Sequence, residues 1–463
     1  MSENLQKNLF YGSLMDMLDS NDPLVVLADT IQWSKFENEF AKFYSKNGRP
    51  AKPIRLMVGL LLLKQLENLS DENVVLQWKR NPYFQYFCGY SDFQTALPCH
   101  STDLVYFRNR IGGEGFEYIF KHSIELHNDE KINEERVIVD TTVQESNLTY
   151  PTDGKLAIKI INHLHKIAKQ ENIKLRRSYI KEIKGHRINL RFFRHPKKIK
   201  KAKGSMKRLR TIAKTLLRDI DRKFADNLDL HNKYALKFYL YMRVLLQEKH
   251  TKNKIYSLHE TDAYAVNKGK DNKGYEYGTK ASIVTTKDSG IIVGVAAHKK
   301  NEHDSKTLQA ALENTVSNVG PKTINEAVCD RGYKGKKEVT INDHTISISI
   351  PGKQCKRDTQ KQIQEKKEKF KRRAAIEPVI GHLKSDHRME RNYLKGFLGD
   401  QINLLLAATA FNLKKWMRIY FYALFCRDLY LLQEAGKQIK QYYEQLLMIL
   451  QIKIYLTLLE KSY

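Results

Sequence analysis

Apolar residues recur at helical spacing through the first 130 residues of the chain. In PIRLMVGLLLLKQLENLSDENVVLQW they return every three or four positions, and Ser70 is placed to cap a second helix. The segment STDLVYFRNRIGGEGFEYIF predicts a helix, a Gly-Gly turn and a further helix. A helix-turn-helix that contacts DNA and a plain helical bundle both fit this spacing, because glycine turns occur in each. The pattern therefore predicts an all-α N-terminal domain over residues 1–130.

The pattern then changes to short runs rich in β-branched residues. RVIVDTTVQES predicts a buried strand, YGTKASIVTT and GIIVGVAAH predict a hairpin around KDSG, and INEAVCD and HTISISI predict two further strands. Helical patterns follow in HDSKTLQAALENTV, RRAAIEPVIGHLK and INLLLAATAFNLKKW. This alternation predicts an α/β domain, with a mixed sheet and flanking helices, over residues 131–160 and 255–425. A helical tail over residues 426–463 would either mediate self-association or pack on the core.

A basic block separates the first strand from the hairpin. Residues 165–250 contain 26 lysines and arginines against seven acidic residues, a net charge of +19 in a chain whose total is +28. Apolar residues at helical spacing run through its second half, at Leu209, Ile212, Leu216 and Ile220. We therefore predict a basic helical insertion over residues 161–254 that binds DNA phosphates. Its strongest candidates for phosphate contact are Lys197, Lys198, Lys200 and Lys201.

A solvated charged face is the simpler explanation of such a block. One-signed charge repels itself, however, and a bound polyanion would relieve that repulsion.

The N-terminal segment MSENLQKNLF does not have a secretory pattern, and no apolar run reaches about 18 residues. Nucleic acid is therefore a better candidate partner than a membrane. The five scattered cysteines form no CxxC pair, which argues against a zinc knuckle or a disulfide framework and fits a reducing cytoplasm.

Three carboxylates are candidates for a metal site. Asp140 ends the run VIVD, Asp330 ends the run AVCD, and Glu377 lies on a predicted helix between arginines and a lysine. Each has a plain structural alternative, since acids at strand ends form turns and an acid among cations on a helix forms an ion pair. If the two strands are neighbours and the helix packs across them, the three acids converge. Hard oxygen ligands select Mg²⁺ or Mn²⁺, and two such ions can promote cleavage of a phosphodiester.

The chain resembles the DDE transposases of bacterial insertion sequences, in the subgroup with a helical N-terminal domain ahead of a ribonuclease-H-like catalytic domain. The resemblance covers about residues 40–420 in the family's motif order. It rests on GRPAKPIRLMVGLLLLKQLENLSDE, NPYFQYFCGY, HETDAYAVNKGK, YEYGTKASI, DRGYKGK and IEPVIGHLK. It implies a metal-dependent enzyme that cuts and joins the ends of its own element, in the cytoplasm of a bacterium and associated with the nucleoid.

Carried over by motif, Asp140 in VIVDTT matches the family's first aspartate, Asp330 in CDRGY the second, and Glu377 the glutamate. The resemblance implies that these three residues are catalytic and bind two Mg²⁺ or Mn²⁺ ions. It also implies that Arg373 and Lys384, at the family's spacing around the glutamate, contact DNA. The family's tyrosine position holds Phe370, which keeps the ring and loses the hydroxyl.

The implied partners are double-stranded DNA, as terminal inverted repeats and as target, and a second copy of the chain, because synapsis of two ends requires a dimer or larger assembly. Two alternatives stay open: a decayed or repurposed DNA-binding protein without catalysis, and a related DNA nuclease. Among weaker candidates, Asp304 is expected to cap a helix, with a metal pair formed by His303 and Asp304 as the alternative. Other residues near the predicted site could touch substrate, namely His382, His387, Arg331 and Tyr333, with a structural turn favoured for the last two.

Overall fold

The computed structural model describes residues 13–44, 50–127, 132, 134–225, 227–267, 274–320, 323–352 and 359–460. Contacts between Cα atoms divide the chain into two compact units. The first comprises Met1–Arg110, Glu125–His127 and Thr409–Tyr463, and the second comprises Ile111–Ile124 and Asn128–Ala408.

The N-terminal segment is helical, as predicted. Its helices are α1 (Leu14–Met17), α2 (Pro23–Thr30), α3 (Trp33–Ala41), α4 (Ile54–Leu66), α5 (Asp71–Arg80), α6 (Pro82–Phe87) and α7 (Ser101–Glu125). The predicted cap is confirmed, because the Ser70 hydroxyl accepts the backbone N–H of Asn73 at 3.1 Å at the start of α5. The predicted glycine turn corresponds to Gly112, whose φ of 60° interrupts α7 and suits glycine because it carries no Cβ.

The second unit is built on a mixed sheet. Its strands are β1 (Arg136–Ser146), β2 (Tyr264–Asn267), β3 (Tyr275–Thr286), β4 (Ile292–His298), β5 (Glu326–Cys329), β6 (Glu338–Ile341), β7 (His344–Ser349) and β8 (Arg391–Asn392). The strand order is β2-β3-β1-β5-β7-β6, with β4 also paired to β3 and β8 to β1. The central strand β1 is antiparallel to β3 and parallel to β5, and the predicted hairpin β3–β4 is antiparallel.

The predicted strand end at Asp140 is wrong. Strand β1 continues six residues further to Ser146, so Asp140 lies in its middle, opposite Ile283 of β3. The β-branched run is long enough to pair with β3 over most of its length, and the acid does not terminate it. Asp330 does directly follow the last residue of β5, as predicted.

The basic insertion is helical. It comprises α8 (Asp153–Gln170), α9 (Ile180–Asn189), a 3₁₀ turn (Leu190–Arg194), α10 (Ile199–Phe224) and α11 (Leu228–Leu246). The predicted apolar stripe of α10 is buried, since none of Leu209, Ile212, Leu216 and Ile220 exceeds 2% exposure. These side chains form one core with residues of α8 such as Leu156 and Ile160. The predicted boundary at residue 160 therefore falls inside a helix of this core.

After the insertion, the described part of the chain has four more α-helices, α12 (Asp304–Val319), α13 (Gln360–Phe370), α14 (Ile376–Ser385) and α15 (Gly396–Glu460). Helix α12 packs on β3 and β4, and α14 packs on β1. Helix α15 continues through the predicted start of a separate tail at residue 426. In the described part of the chain, no helix combines the length and apolar character needed to span a membrane.

Candidate functional site

Two of the predicted site residues lie at neighbouring strands. Val139 of β1 pairs with Cys329 of β5 in parallel register, and each is followed by an aspartate, Asp140 and Asp330. Because neighbouring parallel strands run in the same direction, the two aspartates come together where β5 ends. Both are half-buried. The structure therefore brings the first two predicted carboxylates to one place in the sheet.

Backbone N–H groups hold both carboxylates. Asp140 Oδ1 accepts the N–H of Thr141 at 2.7 Å, and Asp330 Oδ1 accepts the N–H of Gly332 at 2.7 Å. The second bond caps the 3₁₀ turn Arg331–Tyr333 that follows β5. Such bonds limit the rotation of each carboxylate, so both groups are held in a defined orientation.

Glu377 lies in the first turn of α14, the helix that packs on β1, and its side chain is exposed. Within the described residues it makes no ion pair. No three His, Cys, Asp or Glu side chains in those residues lie close enough together to hold a metal ion. The structure thus places the third predicted ligand on a helix against the strand of the first, without gathering all three into one coordination group. Three carboxylates repel one another and close up only around a compensating cation.

The two cations predicted to flank Glu377 lie on either side of it along the chain. Arg373 begins the 3₁₀ turn Arg373–Ala375 before α14 and is half-buried, while Lys384 lies in the last turn of α14. Lys384 Nζ is 4.0 Å from Glu276 Oε1 of β3. A counter-charge for Lys384 therefore lies on the sheet.

Two of the weaker candidates are buried and two are exposed. Tyr333 is fully buried, so it forms part of a structural turn, as favoured from the sequence, while Arg331 is exposed and donates to the carbonyl of Pro351 at 3.3 Å. His387 is only 3% exposed. His382 lies at the surface, where its Nδ1 is 2.8 Å from Asp386 Oδ2.

The four predicted phosphate-binding lysines, Lys197, Lys198, Lys200 and Lys201, are all exposed around the start of α10. We call them the lysine cluster. The Lys198 ammonium lies 4.6 Å from the centre of the Phe192 ring, a cation–π contact that leaves the charge at the surface.

A fourth acid, Asp304, lies beside the strand-borne pair. The predicted cap at this position is wrong by one residue, because His303 caps α12 by accepting the N–H of Ser305. Asp304 is the first residue of α12, and its Oδ1 accepts two hydrogen bonds of 2.9 Å, from Thr141 Oγ1 and from Lys280 Nζ. The sequence signal that could have found it is Lys280, a cation inside the apolar strand pattern YGTKASIVTT, because a buried lysine requires a counter-charge.

The polar groups around this acid are perturbed by burial. Burial raises the pKa of the Tyr333 hydroxyl well above its usual range, and the nearby charges of Asp140, Asp304 and Asp330 act in the same direction. The phenol is therefore a proton donor at any physiological pH. Burial also lowers the pKa of His298 to about 4, with the charge of Lys280 adding to the effect, so this imidazole is neutral.

Two family models match the chain. One, described as a transposase domain (DUF772), matches residues 12–110, and the other, described as a transposase DDE domain, matches residues 249–413. An uncharacterised protein, ORF8 of the nfe locus of Rhizobium meliloti, is 40% identical over 194 residues, which is 41% of this chain and 94% of that protein. No solved structure matches the chain.

The mixed sheet with flanking helices and the matched DDE domain define the class: a ribonuclease-H-like domain joined to a helical N-terminal region. The chain belongs to the DDE transposases, as the sequence resemblance indicated. Transposases of this kind act on DNA and generally depend on divalent metal ions.

Proposed function

We propose that this transposase cleaves the ends of its insertion sequence and joins them to target DNA, with Asp140, Asp330 and Glu377 as the metal-binding carboxylates. The observation that carries the proposal is the pairing of Val139 with Cys329, which puts the two following aspartates side by side. Helix α14, packed on the same central strand, carries the third acid.

The donor set fits a hard divalent cation. All three groups are carboxylates, the ligand type that Mg²⁺ and Mn²⁺ prefer. Asp140 and Asp330 are each oriented by a backbone N–H at 2.7 Å, which supports ligation through the remaining oxygen atoms. When bound, two such ions activate an attacking oxygen and stabilise the leaving oxygen of a phosphodiester.

The other residues of the proposed site act on the DNA itself. The guanidinium of Arg373 and the ammonium of Lys384 contact non-bridging oxygens near the scissile bond, as the motif spacing implies. For Lys384 this contact replaces or shares the ion pair with Glu276, since the two charged atoms are only 4.0 Å apart. The site therefore presents anionic groups to the metal and cationic groups to the phosphate.

DNA is held over a longer path by the basic insertion and the helical N-terminal domain. The lysine cluster supports this part of the proposal, because its four charges are exposed on one short segment. A surface of this kind attracts any duplex through its phosphates and carries little sequence information. Terminal inverted repeats and target DNA are the proposed partners, and a dimer or larger assembly brings two ends together.

The test is cleavage of duplexes that carry the inverted repeats flanking the coding region. Alanine at Asp140, Asp330 or Glu377 should abolish cleavage and leave DNA binding largely intact, since each change removes a ligand and no phosphate contact. Glu338, an exposed acid on β6, provides the control Glu338→Ala, which should cleave normally. Wild-type cleavage by the Glu377→Ala protein would remove Glu377 from the site.

The same reaction mixture distinguishes the alternatives. Joined products on a supercoiled target indicate transposition, whereas cleavage without joining indicates a nuclease. Binding without either reaction in Mg²⁺ and in Mn²⁺ indicates a DNA-binding protein that has lost catalysis.

A further inference from the structure

Asp304 is hydrogen-bonded to the residue that follows the first predicted ligand. Its Oδ1 accepts the hydroxyl of Thr141 at 2.9 Å, and Thr141 immediately follows Asp140 in β1. Asp304 therefore holds β1 at the residue next to Asp140. Any shift of Asp304 therefore acts on the strand position that carries Asp140.

The second oxygen of Asp304 faces the second predicted ligand. A Cβ atom built on Gly332 would lie 2.9 Å from Asp304 Oδ2 and 2.9 Å from Asp330 Oδ1. The two carboxylates therefore flank the same glycine, with no room for a methyl group between them. A residue 26 positions earlier in the chain is thus part of the surroundings of Asp330.

Lys280 compensates the charge of Asp304. Its side chain is 8% exposed, and its ammonium donates to Asp304 Oδ1 at 2.9 Å and to the carbonyl of Glu302 at 2.7 Å. Asp304 is therefore held in place by contacts within the protein. This distinguishes it from the exposed Glu377, whose charge is not paired within the described chain.

A buried donor provides a separate indication of what binds here. The Tyr333 side chain is fully buried, its hydroxyl makes no hydrogen bond to the described residues, and three carboxylates act on it, those of Asp140, Asp304 and Asp330. Buried hydroxyls are nearly always satisfied by protein or by ordered water. A buried donor without a partner, three residues after Asp330, indicates that water or another ligand oxygen completes this group of side chains.

We propose that Asp304 and Tyr333 are positioning residues for a hydrated divalent cation held by Asp140 and Asp330, a role that rests on the function proposed above. Asp304, anchored by Lys280 and Thr141, accepts hydrogen bonds from water beside Asp330 through Oδ2. The Tyr333 hydroxyl donates to an oxygen of the same shell. Groups around a metal ligand fix its orientation, and their loss typically lowers metal affinity or activity about 10- to 100-fold.

The first experiment measures cleavage by Asp304→Asn and Tyr333→Phe, in the full chain, as a function of Mn²⁺ concentration at saturating duplex. Both variants should need about tenfold or more Mn²⁺ for half-maximal cleavage. The matched control is Asp153→Asn, which removes another first-turn acid paired with a largely buried lysine, since Asp153 Oδ1 lies 3.1 Å from Lys254 Nζ. It should keep the wild-type Mn²⁺ dependence.

A second readout does not depend on cleavage. Mn²⁺ should raise the melting temperature of the wild-type protein, and this increase should be smaller for Tyr333→Phe, a variant that removes an unpartnered hydroxyl and should fold normally. If both variants show wild-type Mn²⁺ dependence while Asp330→Ala is inactive, the positioning role is refuted and the proposed function stands. If Asp330→Ala itself cleaves normally, the proposed function fails first.

Discussion

Replacing Gly332 by alanine is a direct steric test of the acidic pair around it. The backbone at Gly332 does not adopt a left-handed conformation, so alanine meets no backbone strain there. The added Cβ would, however, lie 2.9 Å from Asp304 Oδ2 and from Asp330 Oδ1, a separation that real side chains do not sustain. One of the two carboxylates has to move.

The size of the effect follows from which group moves. Asp304 accepts two hydrogen bonds of 2.9 Å, one of them from the buried Lys280, whereas among the described residues Asp330 accepts one, from the N–H of Gly332 itself. Asp330 is therefore the group that rotates, losing a bond of roughly 1 kcal/mol. With residual crowding, we expect destabilisation of about 1–3 kcal/mol. Displacing a metal ligand by about 1 Å should slow cleavage on the order of 100-fold.

The assay pairs a denaturant unfolding curve with a cleavage time course. The control is Gly185→Ala, on the exposed side of α9, where nothing lies within 4 Å of the added Cβ. Alanine favours a helix, so this variant should be unchanged or more stable by roughly 0.5–1 kcal/mol and should cleave normally. Normal cleavage and normal stability in the Gly332→Ala protein would refute the close approach of Asp304 and Asp330.

Two further predictions concern the binding of DNA. Glutamine at all four positions of the lysine cluster should weaken binding to every duplex alike. The slope of log affinity against log salt should fall by up to about 3–4, at about 0.9 for each phosphate that is no longer neutralised. An unchanged slope in a filter-binding titration would show that the cluster is a solvated face. Lys384→Ala should slow cleavage about ten- to a hundredfold, as expected for loss of a charge-assisted bond of roughly 1.5–3 kcal/mol, and Lys384→Arg should recover part of the rate. If Lys384 only neutralises Glu276, the alanine variant will instead lower the melting temperature and leave the cleavage kinetics unaltered.

Much of the fold is predictable because many of its helices and strands are long enough to show several repeats of the apolar spacing typical of each. The run RVIVDTTVQES and the two arms around KDSG form β1, β3 and β4, and the apolar stripe of α10 is buried as its spacing requires. Strands β2, β6 and β8 have only four, four and two residues, too few for alternation to be recognised, whereas the equally short β5 is marked by its apolar run AVC. Their pairing depends on partners distant in sequence.

The acidic site, too, is only partly predictable from the sequence. Local chemistry and motif spacing identify Asp140, Asp330 and Glu377, whereas Asp304 has no local pattern that separates it from an ordinary helix-capping acid. Its partners Thr141 and Lys280 are 163 and 24 residues away, on two different strands. Only the registry of β1 with β3 brings them to one helix start.

A lysine inside a strand pattern is nevertheless informative in itself. Burying an unpaired ammonium is costly, so a lysine inside the apolar run YGTKASIVTT implies an acid close by before the fold is known, and in the structure the Lys280 side chain is 8% exposed. The same reasoning applies to Glu276, 10% exposed four residues earlier on β3, whose counter-charge is Lys384. Both pairs link β3 to a helix that borders the candidate site, α12 in one case and α14 in the other. Strand β3 carries no predicted ligand, yet each of its two buried charges pairs with a side chain on one of the helices that carry Asp304 and Glu377, so reversing either charge would place like charges together beside the candidate site.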